Sequence, residues 1–171
     1  MMAHAGVLVL TGLGAAFAIA SSLVEARPIL VWNATASVPR GLYRIAPPTA
    51  LQTGDLVLLQ PDPASALIYA ERGYLPLGLP LVKRVAALAG MRVCEQAGEV
   101  AINNRHVADA LPIDGQGRPM TPWSGCRVMR DGELFVLNAD MPASLDGRYF
   151  GPSPASSVIG RAVPLWAGNE R

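Results

Sequence analysis

Fifteen prolines and seventeen glycines are spread along a chain of 171 residues. Proline removes a backbone donor and clashes with the preceding helical turn, and an interior glycine costs a helix about 1 kcal/mol. A bundle of long helices is therefore excluded, and the pattern predicts short strands joined by many turns. The length suits one well-cored domain. Apolar residues make up 51% and charged ones only 16%, a surplus over ordinary soluble domains that predicts a membrane-embedded portion. A net charge of +1 supplies no field of one sign, which argues against a nucleic-acid partner.

The surplus is concentrated at the start. From residue 3 to residue 24 the only titratable side chain is His4, and the span matches the ~20 residues that cross a bilayer core. The start lacks the Lys or Arg of a cleaved secretory signal, so residues 1–24 read as an uncleaved membrane anchor, with a buried core helix as the alternative. Residues 25–36 read as an extended connector, in which residues 29–32 either enter a strand or lie at the lipid interface, a position that suits Trp32. Residues 37–171 form the remaining domain.

Within that domain, strands are expected at residues 41–45, 56–59, 81–88, 133–138 and 158–166, from apolar runs bounded by Gly and Pro. One short helix is expected after the Pro61-Asp62-Pro63 start, ending at Gly73. Residues 74–80 form a proline-broken apolar loop, either a binding or membrane-contacting surface or a loop tucked under the core. Asn103-Asn104 predicts a hairpin turn, residues 91–123 otherwise alternate weakly, and residues 138–152 read as a long polar loop. If the anchor exports the chain, Cys94 and Cys126 are expected to pair, a closure worth roughly 3–4 kcal/mol. Two cysteines and distant histidines do not compose a zinc site.

Two residues stand out chemically. Ser37 precedes a Pro-Gly turn just behind the apolar segment and is the candidate nucleophile. Its candidate base is Lys83, the one lysine in the sequence. Strand alternation puts Lys83 on a face with Leu81, Val85 and Ala87. An ammonium so placed loses hydration, its pKa falls, and the neutral amine becomes a general base; the other reading is a lysine that reaches solvent from a strand edge.

Four stretches in order, Ser37-x-Pro39-x-Gly41-x-Tyr43, the Gly54-Asp55 strand, Lys83-Arg84-Val85 leading to Gly90, and Ser144-x-Asp146-x-Arg148-Tyr149-Phe150-Gly151, resemble the boxes of the type I signal peptidase family. The form of the serine turn resembles its conjugative-transfer branch. The resemblance implies a mainly β, signal-peptidase-like fold and a serine/lysine peptidase needing no cofactor and no metal. Ser37 would attack and Lys83 would move the proton. The Ser37 N–H and the Thr35 hydroxyl would form the oxyanion hole, Ser144 would orient the amine, and Asp146 would brace the site by pairing with Arg148 or Arg84. Gly147 departs from the pattern, since many relatives carry serine there. The implied setting is the bacterial inner membrane, with the catalytic domain in the periplasm against membrane lipid. The implied partners are a pilin precursor as substrate and components of type IV secretion or mating-pair formation. Hydrolysis and head-to-tail cyclisation stay open, as do two alternatives: a general secretory signal peptidase and an inactive membrane-anchored scaffold.

Overall fold

The computed structural model describes residues 11–16 and 28–168. Residues 11–16 are helical and exposed, and the rest of the expected anchor lies outside the described residues. Among the described residues no helix is long and apolar enough to cross a membrane. The domain is mainly β. Eleven strands run β1 (Leu30–Asn33), β2 (Gly41–Ala46), β3 (Leu56–Leu59), β4 (Leu81–Leu88), β5 (Arg92–Gln96), β6 (Glu99–Ile102), β7 (Arg105–Asp109), β8 (Gly125–Val128), β9 (Glu133–Val136), β10 (Ser153–Pro154) and β11 (Val158–Ala167).

A seven-stranded antiparallel sheet has the order β1-β2-β11-β3-β4-β9-β10, and a four-stranded one the order β7-β6-β5-β8. Strand β4 carries the main turn of the large sheet. Its first half, Leu81 to Arg84, pairs with β3, its second half, Val85 to Leu88, pairs with β9, and a bulge sits between Val85 and Ala87. A bulge bends its strand, which here curls the sheet around one core. That core joins Val57, Leu59, Val85 and Val136 to Tyr69 and Leu145. The stretch read as connector contributes β1, the sheet's edge strand, with Asn33 opposite Gly41. Gly41 is required there, since a Cβ would stand 2.0 Å from the Trp166 carbonyl oxygen.

Helix α1 (Pro63–Glu71) begins where the sequence predicts, because Asp62 accepts from the Ala64 and Ser65 N–H groups and proline fits the first turn. Gly73 follows at φ 68°, the left-handed conformation that suits glycine after a helix. Two further one-turn elements go beyond the single helix expected: α2 (Gly147–Phe150) and a 3-10 turn at Ala155–Ser157. The Asn103-Asn104 hairpin forms with φ 50° and 65°. Strands β5 and β8, unread in the sequence, pair across Cys94 and Cys126, which form a disulfide.

Two links seat the small sheet against the large one. Val93, Val100 and Met129 pack on Phe135 of β9. Asp114, buried between β7 and β8, accepts from Arg118 and from Arg72 just past α1. The apolar loop divides: Tyr74 and Leu75 pack against the core, while Leu77 and Leu79 are exposed.

Gly147 passes so close to β9 that an added Cβ would stand 2.7 Å from both the Phe135 ring and the Val136 carbonyl oxygen. Gly147→Ala is expected to cost about 1–3 kcal/mol of stability through overpacking. The readout is an earlier urea midpoint with unchanged slope; equal midpoints would mean that β9 yields freely.

Candidate active site

The loop that carries Ser37, residues 34–40, connects β1 to β2 and is wrapped on buried side chains. Asn33 donates from Nδ2 to the carbonyl oxygens of Thr35, Val38 and Pro39. The Tyr43 hydroxyl donates to the Pro39 carbonyl at 2.6 Å, and Val38 plugs the cluster formed by Tyr43, Leu58 and Val82. Ser37 is thereby presented from a loop with little freedom, its Oγ 3.2 Å from Thr35 Oγ1.

Lys83 lies on β4 opposite Val57 and is 4% exposed, so it does not reach solvent. Its Nζ donates to Ser144 Oγ at 2.8 Å. Burial lowers its pKa from 10.5 to about 8; Asp146 opposes the shift and Arg148 adds to it. Ser37, Thr35, Lys83 and Ser144 line one cavity of about 370 Å³, walled by Leu75 and Leu145. In this arrangement Ser37 bonds Thr35 and Lys83 bonds Ser144, with no direct hydrogen bond between nucleophile and amine among the described residues. A second cavity, about 540 Å³, meets Lys83 on the side of α1 and Asp146.

Within the stretch expected to be a polar loop, residues 144–148 are instead internal: Ser144, Asp146 and Arg148 are 6%, 2% and 1% exposed. Asp146 accepts from Arg148 Nε and Nη2, both at 2.9 Å, and from the N–H groups of Asn138 and Arg148. The remaining guanidinium donors go to the carbonyl oxygens of Asp109, Asn138, Met141 and Pro142. Of the two partners expected for Asp146, Arg148 is the one found. Arg84 points to the other face of β4 and donates to the Gly54 carbonyl, as strand alternation dictates. Cys94 and Cys126 belong to the small sheet and line neither cavity.

Three contributors escaped the sequence reading. Asn33 folds the nucleophile loop; its signal was an amide closing an apolar strand ahead of the serine. Asn138 takes the Arg84 N–H on Oδ1 and gives its own N–H to Asp146. The Tyr69 hydroxyl donates to the Leu145 carbonyl at 2.8 Å, fixing the residue between Ser144 and Asp146. Nothing in the sequence marks that last contact, which spans 76 positions.

A hydroxyl and a buried amine poised to be neutral, opening on one cavity, are the parts of a nucleophile and its base. A "Probable conjugal transfer protein TraF" of Sinorhizobium fredii (strain NBRC 101917 / NGR234) is 44% identical over 142 residues, covering 76% of this chain and 73% of that one. A "Plasmid transfer protein TraF" of Escherichia coli is 30% identical over 146 residues, covering 78% and 82%. A signal peptidase I from Enterococcus faecalis V583, 20% identical, covers 67% of this chain and 97% of its own at a TM-score of 0.40, a likeness too slight to bear on the fold. The model of the family described as "Signal peptidase, peptidase S26" matches residues 2–166, and the chain belongs to that family.

Proposed function

We propose that this protein is a serine endopeptidase of the serine/lysine type that matures a pilin precursor for conjugative transfer. Residues 1–24 anchor it in the bacterial inner membrane, and its catalytic domain faces the periplasm. The observation that carries the reading is the buried Lys83 amine, with its pKa near 8, on the cavity that also holds Ser37. Relatives named for conjugal or plasmid transfer support the process. They also favour components of type IV secretion or mating-pair formation as partners. An exposed aromatic pair supports contact with membrane lipid: Trp32 of β1 and Trp166 of β11 meet at 5.8 Å between ring centroids across Leu42 of the intervening β2, and tryptophan suits the bilayer interface.

In the proposed cycle, neutral Lys83 accepts the Ser37 hydroxyl proton as Oγ bonds to the scissile carbonyl carbon. The Ser37 N–H and the Thr35 hydroxyl stabilise the oxyanion, and loss of one such donor costs about 2.7–4 kcal/mol of barrier. As the C–N bond breaks, Lys83 returns the proton to the leaving amine. Ser144 keeps the amine aimed, and the Asp146–Arg148 pair holds the loop segment that carries Ser144. Water or a second amine then opens the acyl-enzyme, giving a linear or a head-to-tail product. A precursor strand is recognised by backbone pairing beside the cavity.

Incubation of the full chain with a candidate pilin precursor, followed by mass spectrometry, is the direct test. Cleavage is expected, with cyclisation seen as a product one water lighter than the linear form. Ser37→Ala and Lys83→Ala are each expected to abolish it, and undiminished processing by either variant would sink the mechanism. Because Lys83 must be neutral in the free enzyme, kcat/KM is expected to climb with pH through about 8 and then level. A profile flat from pH 6 to 9, on the order of the range spanning that pKa, would contradict Lys83 as base.

Stability carries the same signature. Below about pH 8 Lys83 is protonated in both the folded and unfolded states, so the folded state bears the full cost of burying the charge. Between about 8 and 10.5 the unfolded state binds more protons, and stability rises with pH. Lys83→Met is therefore expected to be more stable than wild type at pH 7, by about 3 kcal/mol at 1.36 kcal/mol per unit. Denaturant titrations should show the advantage shrinking as pH passes from 8 toward 10.5; a constant difference would contradict a buried, depressed amine.

A further inference from the structure

Asn33 closes β1 with a side chain only 5% exposed, and every hydrogen bond of its carboxamide goes to the loop that follows. Nδ2 donates to Thr35 O at 2.9 Å, Val38 O at 3.1 Å and Pro39 O at 3.2 Å. Oδ1 accepts from the Thr35 N–H at 3.2 Å and from Thr35 Oγ1 at 2.7 Å. The two ends of the group cannot be exchanged. Turned over, the oxygen would press on three carbonyl oxygens and the amino group on an N–H.

This orientation fixes the direction of a chain of hydroxyls. Oδ1 is an acceptor only, and a threonine hydroxyl carries one proton, so that proton lies in the bond to Asn33. Where Thr35 Oγ1 meets Ser37 Oγ at 3.2 Å, Thr35 has no proton left to give and must accept. The resting direction is thus Ser37 to Thr35 to Asn33, with the Ser37 proton turned toward Thr35 and the Thr35 proton committed to Asn33.

We propose that Asn33 is a positioning residue that stores the oxyanion-hole proton of Thr35 in the resting enzyme and releases it as Ser37 attacks. The inference rests on the serine/lysine mechanism proposed above. When Lys83 takes the Ser37 proton and Oγ bonds to the scissile carbon, Thr35 loses the donor it had accepted from. The substrate carbonyl oxygen meanwhile becomes an oxyanion, a stronger acceptor than a neutral amide. The Thr35 hydroxyl turns about its own C–O bond to face it, and no covalent bond breaks. Release leaves no orphan, since the Thr35 N–H still serves Oδ1 and an unpaired buried acceptor is what costs most. The three Nδ2 bonds hold the loop in place throughout.

Asn33→Asp in the full chain tests this. It keeps an oxygen at Thr35 but makes it charged, and such acceptors bind about twice as strongly. The stored proton is then harder to release: kcat on the pilin precursor is expected to fall about tenfold, or more than 1 kcal/mol of barrier, with little change in KM. The ratio of variant to wild-type kcat is expected to recover as pH falls and the carboxylate protonates. In a Thr35→Val background, Asn33→Asp is expected to cost about tenfold less kcat than it does in wild type, because no hydroxyl remains to be stored. The lost Nδ2 bonds are common to both backgrounds and cancel in the cycle. Additive losses would overturn the proposal while leaving the mechanism intact, whereas activity surviving in Ser37→Ala would remove the mechanism itself.

If Asn33→Asp does not fold, wild type answers instead. An alkyl fluorophosphonate phosphonylates Ser37: the Oγ–P bond forms, fluoride leaves and the proton passes to Lys83. In a crystal structure of the adduct, Thr35 Oγ1 is expected about 3 Å from a phosphonyl oxygen. Its separation from Asn33 Oδ1 is expected to lengthen from 2.7 Å, since two acceptors with no proton between them repel. A pair still at 2.7 Å overturns the proposal.

Discussion

Arg148 and Asp146 sit at 1% and 2% exposure, joined through two 2.9 Å bonds from one guanidinium edge. Either ion alone would be costly in that interior, and removing one partner of such a pair strands the other. What the pair secures is the course of the chain. The guanidinium draws in the carbonyl oxygens of Asn138, Met141 and Pro142 on one side and of Asp109 on the other, so a segment with little regular structure acquires one path. Ser144 rides on that path to Lys83. The two ions also act on the Lys83 amine with opposite sign, which leaves desolvation to dominate and the amine to be poised near neutrality.

The site is therefore assembled from two differently built halves. Lys83 stands on a paired strand, where alternation and cross-strand neighbours fix it. Ser37 stands on a loop, which owes its shape to Asn33, Tyr43 and Val38 rather than to a ladder. Tyr74 and Leu75, which line the cavity, follow one residue after Arg72, whose ion pair with Asp114 ties it to the connection between β7 and β8. The small sheet thus lines neither cavity.

What the sequence revealed was what depends on neighbours in the chain. Leu56–Leu59, Leu81–Leu88, Glu133–Val136 and Val158–Ala167 are strands because short, mostly apolar runs between turn residues have few other uses. The proline-flanked start of α1, Gly73 and the Asn103-Asn104 turn are legible for the same reason. Arg92–Gln96 and Gly125–Val128 are mixed in character and partly exposed; their pairing comes from distant partners, so no local pattern announces it. The interior of residues 144–148 was hidden because charged side chains read as surface until their partners are known. The choice of Arg148 over Arg84 for Asp146 was in principle available, since alternation already sent Arg84 to the face opposite Lys83.

Lys83 is the one lysine of the chain, and the other basic side chains of the domain are guanidinium groups, which stay charged at any pH a protein survives, and the imidazole of His106. The domain thus has a single side-chain ammonium. Protein grown on isotope-labelled lysine will give a spectrum containing only that amine, an in-built reporter of the site that requires no foreign probe. Its resonance can be followed through substrate binding, acylation and membrane insertion with no other side chain to assign.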